Sequence, residues 1–285
     1  MIEIAVLLTC HNRRNKTLAC LSSLYSADKP ENINLEVFVT DDKSSDGTKV
    51  AIKKTFPLVK IIDGTGELFW AGGMRNSWNY AMSEGEYDVF LLLNDDVELR
   101  QDFFQNFIRT NNYSISKFGK VGIYSSATID RNSGKISYGG NIIKNKFFRI
   151  NSVRITPTKI PQSVHTVNAN ILWIDKSVIQ KIGILDDRYV HGIADYDYAL
   201  RANQNNIPVL LTMGIGGLCD NDHGNNWLDN NASFKERINY MMSPLGLSYK
   251  NYLLFIKIHF PMSLPYSFAM IWLKTITPFF WRLKK

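Results

Sequence analysis

Short apolar runs, each ending in a polar or acidic stretch, dominate the first hundred residues. Residues 2–9, 35–40, 59–62 and 88–93 are rich in Ile, Leu, Val and Phe, the pattern of strands buried on both faces of a parallel sheet. Between them, residues 16–26 carry Leu18, Leu21 and Leu24 at helical spacing. Asp46 is a candidate N-cap for a helix running to about Phe56, and another helix is predicted from near Gly73 to about Ser83. Strands alternating with helices predict an α/β fold with a mostly parallel sheet joined by right-handed crossovers.

The middle of the chain reads differently. Residues 119–127 are strand-like, and Asn132-Ser133-Gly134, Gly139-Gly140 and Asn145-Lys146 read as turns between short strands near 135–138 and 147–153. Residues 164–174 and 209–212 read as strands, 175–182 as a helix closed by Gly183, and 195–205 as a helix. From 247 to 281 the chain is aromatic and aliphatic, interrupted by Lys250, Lys257, His259, Pro261 and Pro265. A spanning helix needs about 20 apolar residues, and the run 264–273 is too short before Lys274. The expectation is two amphipathic helices ending in a basic-aromatic tip with Arg282, Lys284 and Lys285. They either pack on the main domain or rest on an anionic membrane face.

The formal charge of +7 allows anionic substrates, anionic lipid or nucleic acid. No basic recognition helix, zinc-finger spacing or RNA-binding aromatic signature accompanies it, so nucleic acid ranks last. Cys10, Cys20 and Cys219 have no metal-ligand spacing and read as reduced thiols. The opening residues read as a strand rather than a signal peptide, which predicts a cytoplasmic protein.

Three acidic clusters carry the chemistry: Asp41-Asp42, Asn94-Asp95-Asp96 and Asp195-Tyr196-Asp197. The first two close apolar runs, and ligands of open α/β sheets bind at the carboxyl ends of strands. Asp42 is placed to accept the N3–H of a uracil or thymine ring; the competing reading is a capped helix start, since Asp, Ser and Gly favour such turns. Mg²⁺ and Mn²⁺ commonly bind through one or two carboxylates plus substrate phosphates. Strand alternation would point Asn94 and Asp96 the same way and Asp95 away, making Asp96 the metal candidate. The third cluster opens a helix and could supply a base. Metal, diphosphate and base together suggest group transfer from a nucleotide-activated donor.

In order and spacing, residues 2–225 resemble the family 2 glycosyltransferases of the GT-A fold, among them rhamnosyltransferase-like enzymes of surface polysaccharides. The resemblance rests on Thr9-Cys10-His11-Asn12-Arg13, on Asp41 to Thr48, on Trp70-Ala71-Gly72-Gly73-Met74-Arg75-Asn76, on Asn94 to Asp96, on Gly183 to Asp186, and on Ala194 to Arg201. It departs from the family pattern at Ala194, where the usual residue is Glu, and at Asn94. It implies a nucleotide-binding half (1–110) and an acceptor-binding half (111–240) of a domain spanning 1–240, with 241–285 as a helical extension. It implies an inverting transfer from a uridine or thymidine diphosphate sugar, with Mg²⁺ or Mn²⁺, to a glycan or lipid-linked glycan of O-antigen or capsule type, at the inner face of the membrane. Asp195 is then the catalytic base, hydrogen-bonding the acceptor hydroxyl, while Asp197 pairs with Arg201 four residues on. Thr9, Asn12, Arg13, Asp42, Gly72, Gly73, Arg75, Asn76, Asn94 and Asp95 fall on the donor side. Asp96 and His223 fall on the metal, and Asn168, Asn170, His191 and Trp70 on the acceptor side. Two other classes compete. A nucleotidyltransferase would need a Gly-rich basic loop after the first strand, where Cys10 to Arg14 has no glycine. A non-catalytic sugar-binding protein would fit the two departures.

Overall fold

The computed structural model describes residues 1–221, 227 and 232–279. The first half builds β1 (Ile2–Cys10), α1 (Arg14–Ser26), β2 (Ile33–Asp41), α2 (Thr48–Thr55), β3 (Lys60–Asp63), α3 (Phe69–Glu84) and β4 (Val89–Leu93). In β1, Ile4, Val6 and Leu8 join one core while Ala5 and Leu7 join the other, all fully buried. α1 and α2 cover the first face and α3 the second, which is why the run is apolar at nearly every position. β1 pairs in parallel with β2 and β4, and β2 with β3, so β1 lies between the two strands that carry the acidic ends.

The second half adds β5 (Glu98–Leu99), α4 (Phe103–Phe118), β6 (Ile123–Ile129), β7 (Ile136–Tyr138), β8 (Gly140–Asn145), β9 (Asn151–Arg154), β10 (Gln162–Ser163), β11 (Thr166–Val167), β12 (Ile171–Asp175), α5 (Lys176–Ile182), α6 (Ala194–Gln204) and β13 (Val209–Leu218). The main sheet runs β10-β13-β6-β12-β4-β1-β2-β3, with β5 and β7 off this path; β11-β8-β9 form a small separate sheet. β12 is antiparallel to both β4 and β6, with Ile171 opposite Leu93. The start of β12 therefore lies beside the end of β4.

Two expectations change and one element is new. The apolar stretch 164–174 is not one strand: it breaks at Asn168 to Asn170, whose backbone bonds to Gly139, Ser125 and Asn94 instead of continuing a ladder. α3 begins at Phe69, a turn before Gly73, because Asp42 accepts the Leu68 and Phe69 N–H groups. α4 is an addition to the expected elements: Phe103, Phe107, Thr110 and Ser114 repeat on one buried face and Gly119, at φ 64°, closes it.

Beyond β13 come α7 (Phe234–Met242), opened by a Ser233–Glu236 capping box, α8 (Tyr249–His259), a 3-10 turn (Pro261–Ser263) and α9 (Leu264–Ile276). Pro261 and Pro265 each sit in a first turn, where a missing N–H costs nothing. Among the described residues no helix is long and apolar enough to cross a membrane. Phe255, Ile256 and Phe260 enter the same core as Tyr198 and Ala202. α8 is fixed to α6 by His259, whose Nε2 lies 2.7 Å from Asp197 Oδ1, both side chains 1% exposed.

A candidate active-site cleft at the strand ends

The ends of β1, β2 and β4 meet because of the strand order, and the acidic residues follow. Asp42 is buried, and its carboxylate organises the loop opposite. Oδ1 accepts from Gly66 N at 2.6 Å; Oδ2 accepts from Leu68 N at 2.9 Å and Phe69 N at 3.2 Å. Gly64 must be glycine here, since a Cβ would lie 2.5 Å from Asp42 Oδ1. Asp42 thus seats the start of α3 and keeps spare acceptor capacity, because an ionised carboxylate has about four lone-pair sites. Asp46 is not the N-cap of α2, a place taken by Gly47 at φ 82°; it stands one residue earlier, accepts from Thr48 N at 3.0 Å, and accepts from Arg14 N at the start of α1 at 3.0 Å. Asn12, at φ 52°, holds the same loop by accepting from Ser45 N at 2.7 Å.

After β4 the chain turns at once, so strand alternation does not govern Asn94 to Asp96. Asp95 and Asp96 do not point apart. Both meet the Arg13 guanidinium, at 2.8 Å and 2.9 Å. Asp95 is buried and also accepts from Thr17 Oγ1 at 3.2 Å. Burial pushes its carboxyl up to about 6, against the pull of Arg13, with the neighbouring Asp96 charge adding to the rise. Asn94 goes elsewhere: its Oδ1 accepts from Trp70 Nε1 at 2.7 Å. The remaining oxygen of Asp96 receives the Cys219 thiol at 3.5 Å. Burial raises the pKa of that thiol, keeping it a donor. Asn170 Nδ2 contacts the same sulfur at 3.4 Å.

Asp195 sits in the first turn of α6, after Ile193 at φ 76°. It is not the cap. Its Oδ2 accepts from Ala169 N at 3.1 Å and its Oδ1 from Tyr196 N at 2.9 Å. Burial pushes its carboxyl up to about 6, partly offset by those N–H groups. Ala169 is next to Asn170, whose carbonyl accepts from Asn94 N at 3.0 Å and whose amide reaches the sulfur on Asp96. The three residues Asn168 to Asn170 therefore form one wall, with Asp195 bonded at Ala169 and the Asp96 cluster at Asn170. Asn168 reaches Tyr196 Oη at 3.3 Å. Trp70, bonded to Asn94 through its indole, also donates from its backbone N to His191 Nδ1 at 3.3 Å, and the His191 ring stands edge-on to Phe69.

Several expected residues have other partners. Arg75 turns to the 186–189 loop, donating to Asp186 O at 3.0 Å and Tyr189 O at 2.8 Å. Asn76 donates to Thr40 Oγ1 at 3.3 Å. Gly72 and Gly73 lie inside α3, and a Cβ on Gly73 would sit 2.0 Å from Thr9 Oγ1, so this glycine lets α3 lie on the end of β1. Asp197 pairs with Arg201 at 2.8 Å, as the spacing predicts. His223 lies outside the described residues. Cys219, expected only as a reduced thiol, and Thr17 both touch the acidic cluster; an isolated thiol and a helix threonine carry no sequence signal for that.

Asp96 is the natural oxygen donor for a cation. Among the described residues no three His, Cys, Asp or Glu side chains are grouped to hold a metal by themselves. One carboxylate, with an oxygen contacted only by a thiol, suits a hard ion that brings its own waters and phosphate oxygens.

A model of the glycosyl transferase family 2 matches residues 5–158. The chain therefore belongs to glycosyl transferase family 2. No curated protein matches the chain. Among solved structures, S. aureus TarS 1-349 is similar at 15% identity and a TM-score of 0.53, covering 77% of this chain and 60% of its own. The same protein has been solved in complex with UDP. The mannosyltransferase PcManGT from Pyrobaculum calidifontis, in complex with GDP-Man and Mn²⁺, is similar at 14% identity and a TM-score of 0.53, covering 93% of this chain and 73% of its own. The fold is the GT-A arrangement of these neighbours, a mostly parallel central sheet flanked by helices. The chain spans 60% of the TarS 1-349 length.

Proposed function

We propose that this chain is an inverting glycosyltransferase that moves a sugar from a nucleoside diphosphate donor, of the uridine or thymidine type, onto a glycan hydroxyl. The observation that carries the reading is the Asn168 to Asn170 wall, with a protonatable carboxylate at one end and an acidic cluster at the other. The nucleotide lies over the ends of β1 and β2, where Asp42 has a lone pair left for the base. Asp195 takes the proton of the acceptor hydroxyl as that oxygen attacks the anomeric carbon from the face opposite the diphosphate. Its raised pKa suits this role, since a base near 6 is ionised at neutral pH yet holds a proton better than an ordinary carboxylate. Trp70 and His191 face the sugar and acceptor. Arg13 holds Asp95 and Asp96 in place and presents positive charge beside the diphosphate. Asp96 would hold Mg²⁺ or Mn²⁺, which when bound would neutralise charge on the leaving diphosphate.

The acceptor reading, a lipid-linked surface glycan of O-antigen or capsule type assembled at the cytoplasmic membrane face, is supported by the motif resemblance and by the exposed apolar side chains of the last helix. The deciding experiment is a screen of sugar nucleotides with and without manganese, reading nucleotide release. The expected product is nucleoside diphosphate, with Asp96→Asn lowering release by at least tenfold through lost diphosphate stabilisation, on the order of one to two kcal/mol. Release of pyrophosphate, or full turnover in Asp96→Asn, would overturn the proposal.

A further inference from the structure

The net charge is not spread evenly along the chain. Residues 131–174 hold seven Lys and Arg and no Asp or Glu, which equals the whole formal +7; the rest of the chain balances 26 basic against 26 acidic residues. Residues 237–285 also hold no Asp or Glu. The two acid-free segments meet at the turn between β8 and β9, where Ser263 Oγ, at the entry to α9, donates to Lys146 O at 3.2 Å. Single-sign charge gathered in one region draws an anionic partner.

The turn presents apolar side chains among its cations. Phe147 and Phe148 are 67% and 68% exposed, and Met262, next to Ser263, is 65% exposed. Lys144, Lys146 and Arg149 flank the two rings and are exposed as well. The tip is held in shape: Asn145 Oδ1 accepts from Phe147 N at 2.9 Å, and Phe148 adopts φ 52°, a conformation that is costly for a bulky side chain. A turn that only faces water favours Gly or Asn at such a position. Two outward rings among cations have the chemistry of an interfacial anchor, with apolar groups for the acyl layer and cations for lipid phosphates. A soluble polyanion would use the charges and leave the rings in water. β8 pairs with β11, Asn141 opposite Thr166 and Gly140 opposite Val167, and β11 runs directly into the Asn168 to Asn170 wall. One small sheet therefore joins the tip to the wall.

We propose that the tip of the β8–β9 hairpin is a bilayer anchor: Phe147 and Phe148 enter the apolar layer of an anionic membrane, and Lys144, Lys146 and Arg149 sit at its lipid phosphates. This deepens, and rests on, the reading of the acceptor as a lipid-linked glycan at a membrane face, and it names the element that meets the lipid. Through β8 and β11 the docked tip turns the acceptor side of the cleft, rather than the nucleotide side, toward the bilayer.

The test is flotation of the full chain with vesicles of phosphatidylcholine alone or mixed with phosphatidylglycerol. Binding is expected only with phosphatidylglycerol and should weaken as salt is raised. K144Q/K146Q is expected to bind about thirtyfold more weakly, and F147S/F148S at least tenfold more weakly, each with an unchanged circular dichroism spectrum. The control K53Q/K54Q removes two exposed lysines from α2 and is expected to bind as wild type. Equal loss in K53Q/K54Q and K144Q/K146Q reduces the effect to overall charge and overturns the anchor. The three native cysteines are buried, so Phe148→Cys can carry an environment-sensitive dye at the tip. Its emission is expected to shift to the blue on vesicles and to be quenched by nitroxide-labelled acyl chains; a dye that stays in water on the bound protein overturns insertion. Flotation that F147S/F148S leaves intact overturns the hairpin anchor alone, whereas a wild-type chain that does not float overturns the membrane reading with it. Nucleotide release without vesicles, expected unchanged in these variants, tests the transferase reading apart from both.

Discussion

Replacing Asp195 by Asn should separate stability from transfer, and the sign follows from burial. The Asp195 carboxyl is raised from 3.8 to about 6 in the folded chain. A raised acid favours folding in its protonated form. Its contribution is therefore fully present below the unfolded value near 3.8 and is lost as pH rises through about 6. Two pKa units correspond to about 3 kcal/mol. Linkage puts roughly half of that, about 1.4 kcal/mol, between pH 5 and pH 7.5. An amide does not titrate, so Asp195→Asn escapes this loss. It does leave one of the two N–H donors, Ala169 N or Tyr196 N, facing an NH₂ group, a penalty of about 1–3 kcal/mol. That penalty is the same at both pH values and cancels in the comparison. Urea unfolding followed by circular dichroism at pH 5 and pH 7.5 should show the wild-type advantage over Asp195→Asn shrinking by about 1.4 kcal/mol. Transfer should fall by at least a hundredfold with donor binding unchanged, and wild-type transfer should rise with pH through about 6. A difference that stays flat with pH would refute the burial argument, and transfer at the wild-type rate in the variant would refute the base.

Two further outcomes follow from packing. Asp197→Ala leaves His259 and Arg201 without their shared carboxylate inside the core; breaking a buried pair from one side costs about 3–5 kcal/mol. His259→Ala should cost less, about 1–3 kcal/mol, because Asp197 keeps Arg201. Thermal melts showing the reverse order would remove the idea that Asp197 joins α8 to α6. Gly73→Ala should destabilise by about 1–3 kcal/mol through the clash with Thr9, and Thr9→Gly in the same chain should recover part of it; a neutral Gly73→Ala would mean that the glycine serves a ligand rather than the helix contact.

Periodicity sufficed for β1, β2 and β4, because strands with a buried centre leave an apolar run before a polar or acidic end, and for the half-buried edge strand β3 through its Ile61-Ile62 pair. It also sufficed for the Asp197–Arg201 pair, a purely local contact. It could not show that residues 168–170 break a strand, since what breaks it are hydrogen bonds to Gly139, Ser125 and Asn94, far away in sequence. The same limit misdirected Asn94 to Asp96. Alternation holds only while a strand lasts, and β4 ends at Leu93, so the turn brings both carboxylates to Arg13. Gly72, Gly73 and Arg75 illustrate a different ambiguity. A Gly-rich stretch followed by Arg suits phosphate binding, and equally suits a helix that must approach a strand closely and then tie down a loop, which is what their contacts show.

The two ends of the molecule are joined through one helix. α6 carries Asp195 on its first turn, and two residues later Asp197 faces the opposite way, into a cluster with Arg201, Tyr189 and His259. Tyr189 and Asp186 in turn receive Arg75 on their carbonyls, which ties the same cluster to α3 and, through Trp70, to His191 and Asn94. The angle of α6 is thus set from below by α8 and from the side by α3. α8 and α9 also carry exposed apolar side chains, Ile258 on the first and Phe268, Leu273 and Ile276 on the second. α8 is held on α6 by the His259–Asp197 contact at 2.7 Å, by Gln204 beside the same imidazole at 3.3 Å, and by Phe255, Ile256 and Phe260 in the core they share with Tyr198 and Ala202.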